Sequence, residues 1–387
     1  MWNVVVLGFI SFFSDISAEM IYPIIPLYLT SVFGATPALI GLIEGIAESL
    51  ASLLRVYSGY ITDKYRKKKS IAFLGYSAGV VYKLALILAS TWTGVLLARV
   101  IDRVGKGIRT APRDVMVSEG ADENHMGKAF GIHKALDMAG SAIGILIAYF
   151  LLKNSNETFD YKKLFLISII PAIMGLMMFV MVKEKQHENV IGESIPFWKN
   201  VKKLDKRLKL YLLVTFLFTL GNSSNAFLIL RAKSVGFEDT SVILLYFIYN
   251  VTASILAIPL GRISDKVGRK RVLLGGYIVF AAVYIGFAFA FNKLFMIIIF
   301  GLYGVYTAMI TGVERAFIAE VSPRELKGTM LGFHATIVGI ALLPASIIAG
   351  VLWNVFGPEA TFLFGASMSV IAVLCLAIGF NSKAAED

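Results

Sequence analysis

Runs of about twenty apolar residues recur along this 387-residue chain, with short polar links between most of them. A helix of ~20 such residues, rising ~1.5 Å per residue, is what it takes to cross the ~30 Å hydrocarbon core of a bilayer. Runs of that kind fall at 4–32, 38–61, 71–90, 92–117, 128–151, 165–182, 210–230, 242–263, 272–291, 294–318, 329–353 and 361–380, which makes twelve. With 57% hydrophobic and 16% charged residues and a mean hydropathy of +0.74, the composition excludes an ordinary soluble domain. The expectation is an all-α integral membrane protein, because a helix satisfies its own backbone inside lipid. The first run has no basic flank and no small-residue cleavage motif, and it continues past Asp15, so it reads as a span rather than a leader. Cys375 is the one cysteine, which rules out an intrachain disulfide.

The links divide by charge. Those at 34–37, 90–92, 153–164, 231–241, 291–293 and 354–360 lie on one face; the other links and both termini hold more than three times as many lysines and arginines. The positive-inside rule therefore places both termini in the cytoplasm of a cell membrane. It also accounts for the formal charge of +11 as topology, with no nucleic-acid partner implied. The longest link, 183–209, carries Phe197, Val201, Leu204 and Leu208 at helical spacing among lysines, with Ser194 and Pro196 as a start signal. It reads as a cytoplasmic linker with an interfacial helix between a bundle at 1–182 and a second at 210–387.

The fourth run breaks the apolar pattern in an ordered way. Wound as a helix, Arg99, Asp102, Arg103, Lys106, Arg109 and Arg113 fall within roughly 120° of one another, and Leu97, Val100, Ile101, Val104 and Ile108 cover most of the rest. Each charge left facing lipid at mid-membrane costs about 2.5 to 3.5 kcal/mol, so the stripe has to face protein and water. By helical rise, Asp15 and Glu19 on the first span come to the level of Arg99. Glu44 and Glu48 on the second lie at a similar level, whereas Arg103 and Lys106 sit deeper, near Asp137, Lys134 and His133 on the fifth. The second half is poorer in charge: Asn222, Ser223, Ser224 and Asn225, then Tyr246, Tyr249 and Asn250, then Tyr303, Tyr306 and Thr307. These offer hydrogen bonds and aromatic surface for orienting a ligand.

Two copies of one pattern flank the linker. Gly59, Asp63 and Lys64 recur as Gly261, Asp265 and Lys266, and Glu119, Gly127, Gly131 and His133 recur as Glu320, Gly328, Gly332 and His334. Two homologous six-span halves follow, with the ligand site expected between them near the midplane. The turn signature G-x-x-x-D-[RK]-x-G-[RK]-[RK] is complete in the second half as Gly261, Asp265, Lys266, Gly268, Arg269 and Lys270; in the first half Arg66 replaces its second glycine. On these residues the whole chain resembles the major facilitator superfamily. Its run Asp102-Arg103-Val104-Gly105-Lys106-Gly107 with Pro112-Arg113-Asp114 is most similar to an archaeal and bacterial subgroup.

The resemblance implies twelve transmembrane helices in two six-helix bundles, and gating by Gly59, Asp63, Lys64, Gly261, Asp265, Lys266 and Arg269. Arg99 resembles the span-4 arginine of proton-coupled members; the span-5 antiporter motif is partial, with Gly140 and Gly144 but no proline. The expected function is a monomeric secondary transporter that exports a small organic solute against protons, with Asp15 and Glu19 as proton sites and Arg99 as their partner. Arg103, Lys106, Arg109, Glu44, Glu48, Asp137, Asn222, Asn225, Tyr246 and Asn250 are the expected cavity residues. Uptake of an organic anion held by Arg103, Lys106 and Arg109 is the alternative, and a non-transporting receptor or scaffold is the alternative of another class. No ATP motif, cofactor motif or metal-ligand spacing is present. Gly75-Tyr76-Ser77-Ala78-Gly79 fits a hydrolase pattern but lacks the strand that chemistry needs, so no enzyme is expected. The pairs Gly41/Gly45, Gly127/Gly131 and Gly140/Gly144 read as close helix contacts.

Overall fold

A computed structural model describes residues 2–65, 67–120, 126–154, 160–183, 206–321 and 327–379; side chains at 59–65, 126–128, 206–207, 319, 327–329 and 379 are likewise not described. Residues 184–205, which hold most of the linker and of its expected interfacial helix, and the side chains of Asp63 and Lys64 lie outside the described residues. What is described is helical rods throughout. In the first half these are α1 (Trp2–Glu19) with α2 (Ile25–Phe33), α3 (Pro37–Tyr65), α4 (Lys68–Leu88), α5 (Trp92–Glu119), α6 (Met126–Lys153) and α7 (Tyr161–Met177). In the second they are α8 (Lys206–Gly221) with α9 (Ala226–Ser234), α10 (Asp239–Val267), α11 (Arg269–Ala288), α12 (Lys293–Ile310) with α13 (Val313–Val321), α14 (Lys327–Phe356) and α15 (Pro358–Gly379). Eleven of these rods are long and apolar enough to cross a membrane by composition alone. The twelfth is α5, whose charged stripe lowers its hydropathy below that of its neighbours. Gly75 to Gly79 lies inside α4, not on a strand-to-helix elbow.

Three spans expected to be continuous are broken, the tenth at 311–312 between α12 and α13, and the first and seventh at mid-molecule. The first stops at Glu19, passes through a 3₁₀ turn at Tyr22–Ile24 and resumes as α2; Pro23 and Pro26 stand in the first turns of the new segments. Proline has no N–H to donate to the preceding turn, so the interruption falls where the sequence places it. The seventh unwinds over 222–225, where asparagines and serines replace good helix formers. The freed backbone groups find partners: Ser224 N–H donates to Ser346 Oγ at 3.3 Å, and Ala226 N–H to Ser224 Oγ at 3.2 Å. The breaks in the first and seventh spans occupy corresponding places in the two halves.

Small residues decide how closely the rods approach. Gly140 and Gly144 of α6 lie against the backbone carbonyls of Phe12 and Ile16 on α1, and Gly41 and Gly45 of α3 against Ser346 and Leu343 on α14. The pair Gly127/Gly131 does not follow this pattern. Gly127 is outside the described side chains, and a methyl group on Gly131 meets open space. The halves meet along α3 with α14 and α6 with α10, and α2 with α9 close the end away from the basic loops. At that end Ala38 N–H donates to Asn354 Oδ1 at 3.3 Å. Buried apolar clusters fill the rest of each bundle, so the polar stripe of α5 turns to the space the halves enclose.

Candidate functional site

The breaks in the first and seventh spans and α5 converge at mid-molecule on two joined cavities. One, about 270 Å³, is bounded by Asp15, Glu19, Asp102, Lys106 and Arg109, with Tyr246 and Asn250 closing it from α10. The other, about 590 Å³, runs from Asn222 and Asn225 toward Arg55, Glu314 and Arg315 near the basic face. Tyr22, Glu48, Asn225 and Tyr249 border both.

The α5 stripe is largely neutralised by the second span. Arg99, 1% exposed, donates twice to Glu44, from Nε at 2.9 Å and from Nη2 at 2.6 Å. This corrects the expected pairing: Arg99 is held by Glu44, not by Asp15 or Glu19. The fork geometry of a guanidinium explains the choice, since a carboxylate on α3 meets it bidentately. Arg103 pairs with Glu48 at 2.8 Å, and Asp102 lies 3.7 Å from both Arg99 and Arg103. Lys83, buried on α4, donates to the Gly79 carbonyl at 2.9 Å. Both guanidinium groups lie over the ring of Tyr22, on the first break, at 5.4 and 5.5 Å from its centre.

At Lys106 and Arg109 the neutralisation lapses, before Arg113 pairs with Asp114. Lys106 and Arg109 make no salt bridge within 4 Å among the described residues; Lys106 is exposed within the cavity, and Arg109 stacks on Tyr76 at 4.3 Å. Asp15 lies beside them in the smaller cavity, with Asp137 of α6 as an electrostatic neighbour. Asp137 in turn receives Lys134 at 3.2 Å. Glu19 is reached from the second half, where Tyr246 Oη donates to its Oε2 at 3.4 Å.

The second half lines its side with aromatic rings and amides. Asn222 Nδ2 donates to Tyr306 Oη at 3.0 Å, Tyr303 Oη donates to Asn225 Oδ1 at 2.8 Å, and Asn250 Nδ2 donates to the Tyr246 carbonyl at 2.9 Å. At the basic face Arg269 joins Asp265 at 3.3 Å to Glu320 at 3.0 Å, while Lys68 meets Glu119 at the corresponding place in the first half. Gly268, between α10 and α11, has φ +100°, a conformation that explains why the turn signature asks for glycine there. Gly261 faces open space. No cluster of three metal-binding side chains occurs among the described residues.

The sequence reading brought together most of these groups but missed Tyr22, which touches both charged layers and the opposite half. Its signal was weak: a tyrosine beside Pro23 marks a break only once that break is known. Arg231 was also passed over. Buried on α9, it donates to the Phe287 and Ala288 carbonyls at 2.8 and 2.7 Å and so caps the end of α11.

Two helical bundles joined around a polar central cavity, with broken helices at its centre, define a membrane transporter rather than an enzyme. The Major Facilitator Superfamily model matches residues 7–210 and again 211–386, and the chain belongs to that family. It is 40% identical over 380 residues to an uncharacterized MFS-type transporter of the archaeon Methanocaldococcus jannaschii, covering 97% of this chain and 94% of that one. It is 22% identical over 379 residues to a multi-drug resistance efflux pump PmrA homolog of Lactococcus lactis, covering 93% and 90%. Its fold matches a crystal structure of the nucleoside transporter NupG with a TM-score of 0.83 at 13% identity, over 98% of this chain and all of that one.

Proposed function

We propose that this protein is a monomeric secondary active transporter of the cell membrane, with both termini and the 183–209 linker cytoplasmic, that exports a small organic solute by alternating access in exchange for protons. The observation that carries the reading is Glu19: an acid of the first half, within the field of Lys106 and Arg103, whose carboxylate receives a hydroxyl from Tyr246 of the second half. Adding or removing a proton at Glu19 changes a contact that crosses between the halves, and such a differential contact is what couples a proton to their relative motion. Asp15 is the second proton site, and Arg99 acts through Glu44 as a fixed support. Asp63, Lys64, Asp265, Lys266 and Arg269, with the turn glycines, close the cytoplasmic face. The similarity to a protein named as an efflux pump supports export.

The test begins with a thermal-shift screen of a metabolite and drug panel, since a ligand that binds only the folded state raises its stability. The best binder is then followed in proteoliposomes. Asp15→Asn or Glu19→Gln is expected to preserve exchange of that ligand while abolishing its accumulation under a pH gradient. Wild-type accumulation in both variants overturns proton coupling through this pair.

Organic-anion uptake is a second reading, favoured by Lys106 and Arg109 lacking ion partners among the described residues. Under it, Lys106→Gln and Arg109→Gln weaken binding of anionic ligands by about 1.5 to 3 kcal/mol, the scale of a charge-assisted hydrogen bond, and leave neutral ligands unchanged.

A further inference from the structure

The larger cavity has two unlike walls. Along one stand Tyr22, Tyr249, Tyr303 and Tyr306, and Tyr246 of the adjoining smaller cavity joins them into a row. Tyr22 is 5.8 Å from Tyr246, Tyr246 is 5.5 Å from Tyr249, Tyr249 is 5.0 Å from Tyr303, and Tyr303 is 5.3 Å from Tyr306. Three of these rings are held by their hydroxyls: Tyr246 on Glu19, Tyr303 on Asn225 and Tyr306 on Asn222. They are therefore oriented before any ligand arrives. The other wall comes from α14, where Ala335, Val338 and Leu342 present small aliphatic surface. The acidic groups that border this space are each paired, Glu48 with Arg103, Asp114 with Arg113 and Glu314 with His334, and Arg55 and Arg315 also line it, toward its basic-face end. Between the walls lie Asn222 and Asn225, the amides of the unwound segment, each with hydrogen-bonding capacity beyond its tyrosine partner.

From these walls we propose that the larger cavity takes a flat aromatic or heteroaromatic ring of the transported solute, laid between Tyr249, Tyr303 and Val338 with a polar edge turned to Asn222 and Asn225. The inference deepens the transport reading and rests on it. An aromatic ring gains contact with oriented tyrosines that a puckered ring of the same size does not, and the aliphatic wall accepts a flat face without a polar cost. At about 590 Å³ the space has the dimensions of a small-molecule site.

The test uses two neutral carboxamides of similar size, 2-naphthamide and decahydro-2-naphthamide, titrated onto the full chain in lipid nanodiscs by calorimetry. The aromatic amide is expected to bind about tenfold more tightly, the scale of one to two ring contacts. Val338→Trp, which fills the slot, is expected to abolish binding; Tyr249→Leu is expected to remove the preference; Tyr303→Phe, which keeps the ring, is expected to retain it. Equal affinities, no binding of either amide, or wild-type binding by Val338→Trp overturns the proposal. Failure here leaves the transport reading standing, because accumulation under a pH gradient is measured separately with whichever ligand the screen supplies.

Discussion

At the scale of single residues, the strongest constraint is the Arg99–Glu44 pair, since a guanidinium and a carboxylate that are each 2% exposed on their side chains sit where water cannot solvate either. Removing one partner leaves the other charged and unpaired, a change that costs about 3 to 5 kcal/mol, whereas apolar replacement of both is close to neutral. Glu44→Gln and Arg99→Met are each expected to destabilise the purified protein strongly, and the double change Arg99→Met with Glu44→Met to recover most of the loss. Chemical denaturation in detergent measures this; additive losses in the double variant refute it. The same pair shows where sequence reasoning stopped. Helical rise placed Arg99, Asp15, Glu19, Glu44 and Glu48 at comparable levels, but level along a helix says nothing about which neighbouring helix faces which side of α5. Packing chose α3.

At the scale of elements, glycine placement separates seams from open faces. Gly140→Leu forces α6 against the Phe12 carbonyl of α1, and Gly41→Leu forces α3 against the Ser346 carbonyl of α14; neither backbone can give way cheaply. Both are expected to abolish folding into a monodisperse species by size-exclusion chromatography. Gly131→Leu, with open space around it, is expected to behave as wild type, and an equal loss from it contradicts the seam argument. Gly268→Ala introduces a β-carbon at φ +100° and costs about 1 to 3 kcal/mol, read as a lowered melting temperature. The helix breaks belong here too. Pro23, Pro26 and the run from Asn222 to Asn225 were visible in the sequence, yet their apolar flanks satisfied a twenty-residue window and each span read as one rod. Hydropathy measures what lipid tolerates, and an unwound turn is tolerated when it faces a protein cavity.

At the scale of the whole molecule, orientation follows from the uneven distribution of lysine and arginine. In a Cys375→Ser background, a cysteine at Asp239 is expected to react with a membrane-impermeant maleimide added to intact cells, and one at Ser70 only after permeabilisation. The opposite pattern inverts the topology. With α2 and α9 closing the end away from the basic loops, spin labels on Val32 and Ser234 are expected to give short distances in the resting state that lengthen when the cavity opens to that side. Distances unchanged across pH and ligand oppose alternating access about this seam.

What could be read from the chain alone was whatever depends on period and repetition. The spans, the two halves, the stripe on α5 and the turn signature at Gly261 to Lys270 are each set by residues near one another, because a bilayer imposes one length and one secondary structure on every crossing segment. What required the assembled bundles was every relation between distant residues. Arg99 met Glu44, Arg103 met Glu48, Tyr22 came between two arginines and a tyrosine of the opposite half, and the tyrosines of α10 and α12 aligned into one wall. Those pairings depend on the rotation and crossing of each rod, which glycine contacts and helix breaks set through close packing, and no spacing along a single helix encodes which face its neighbour will present.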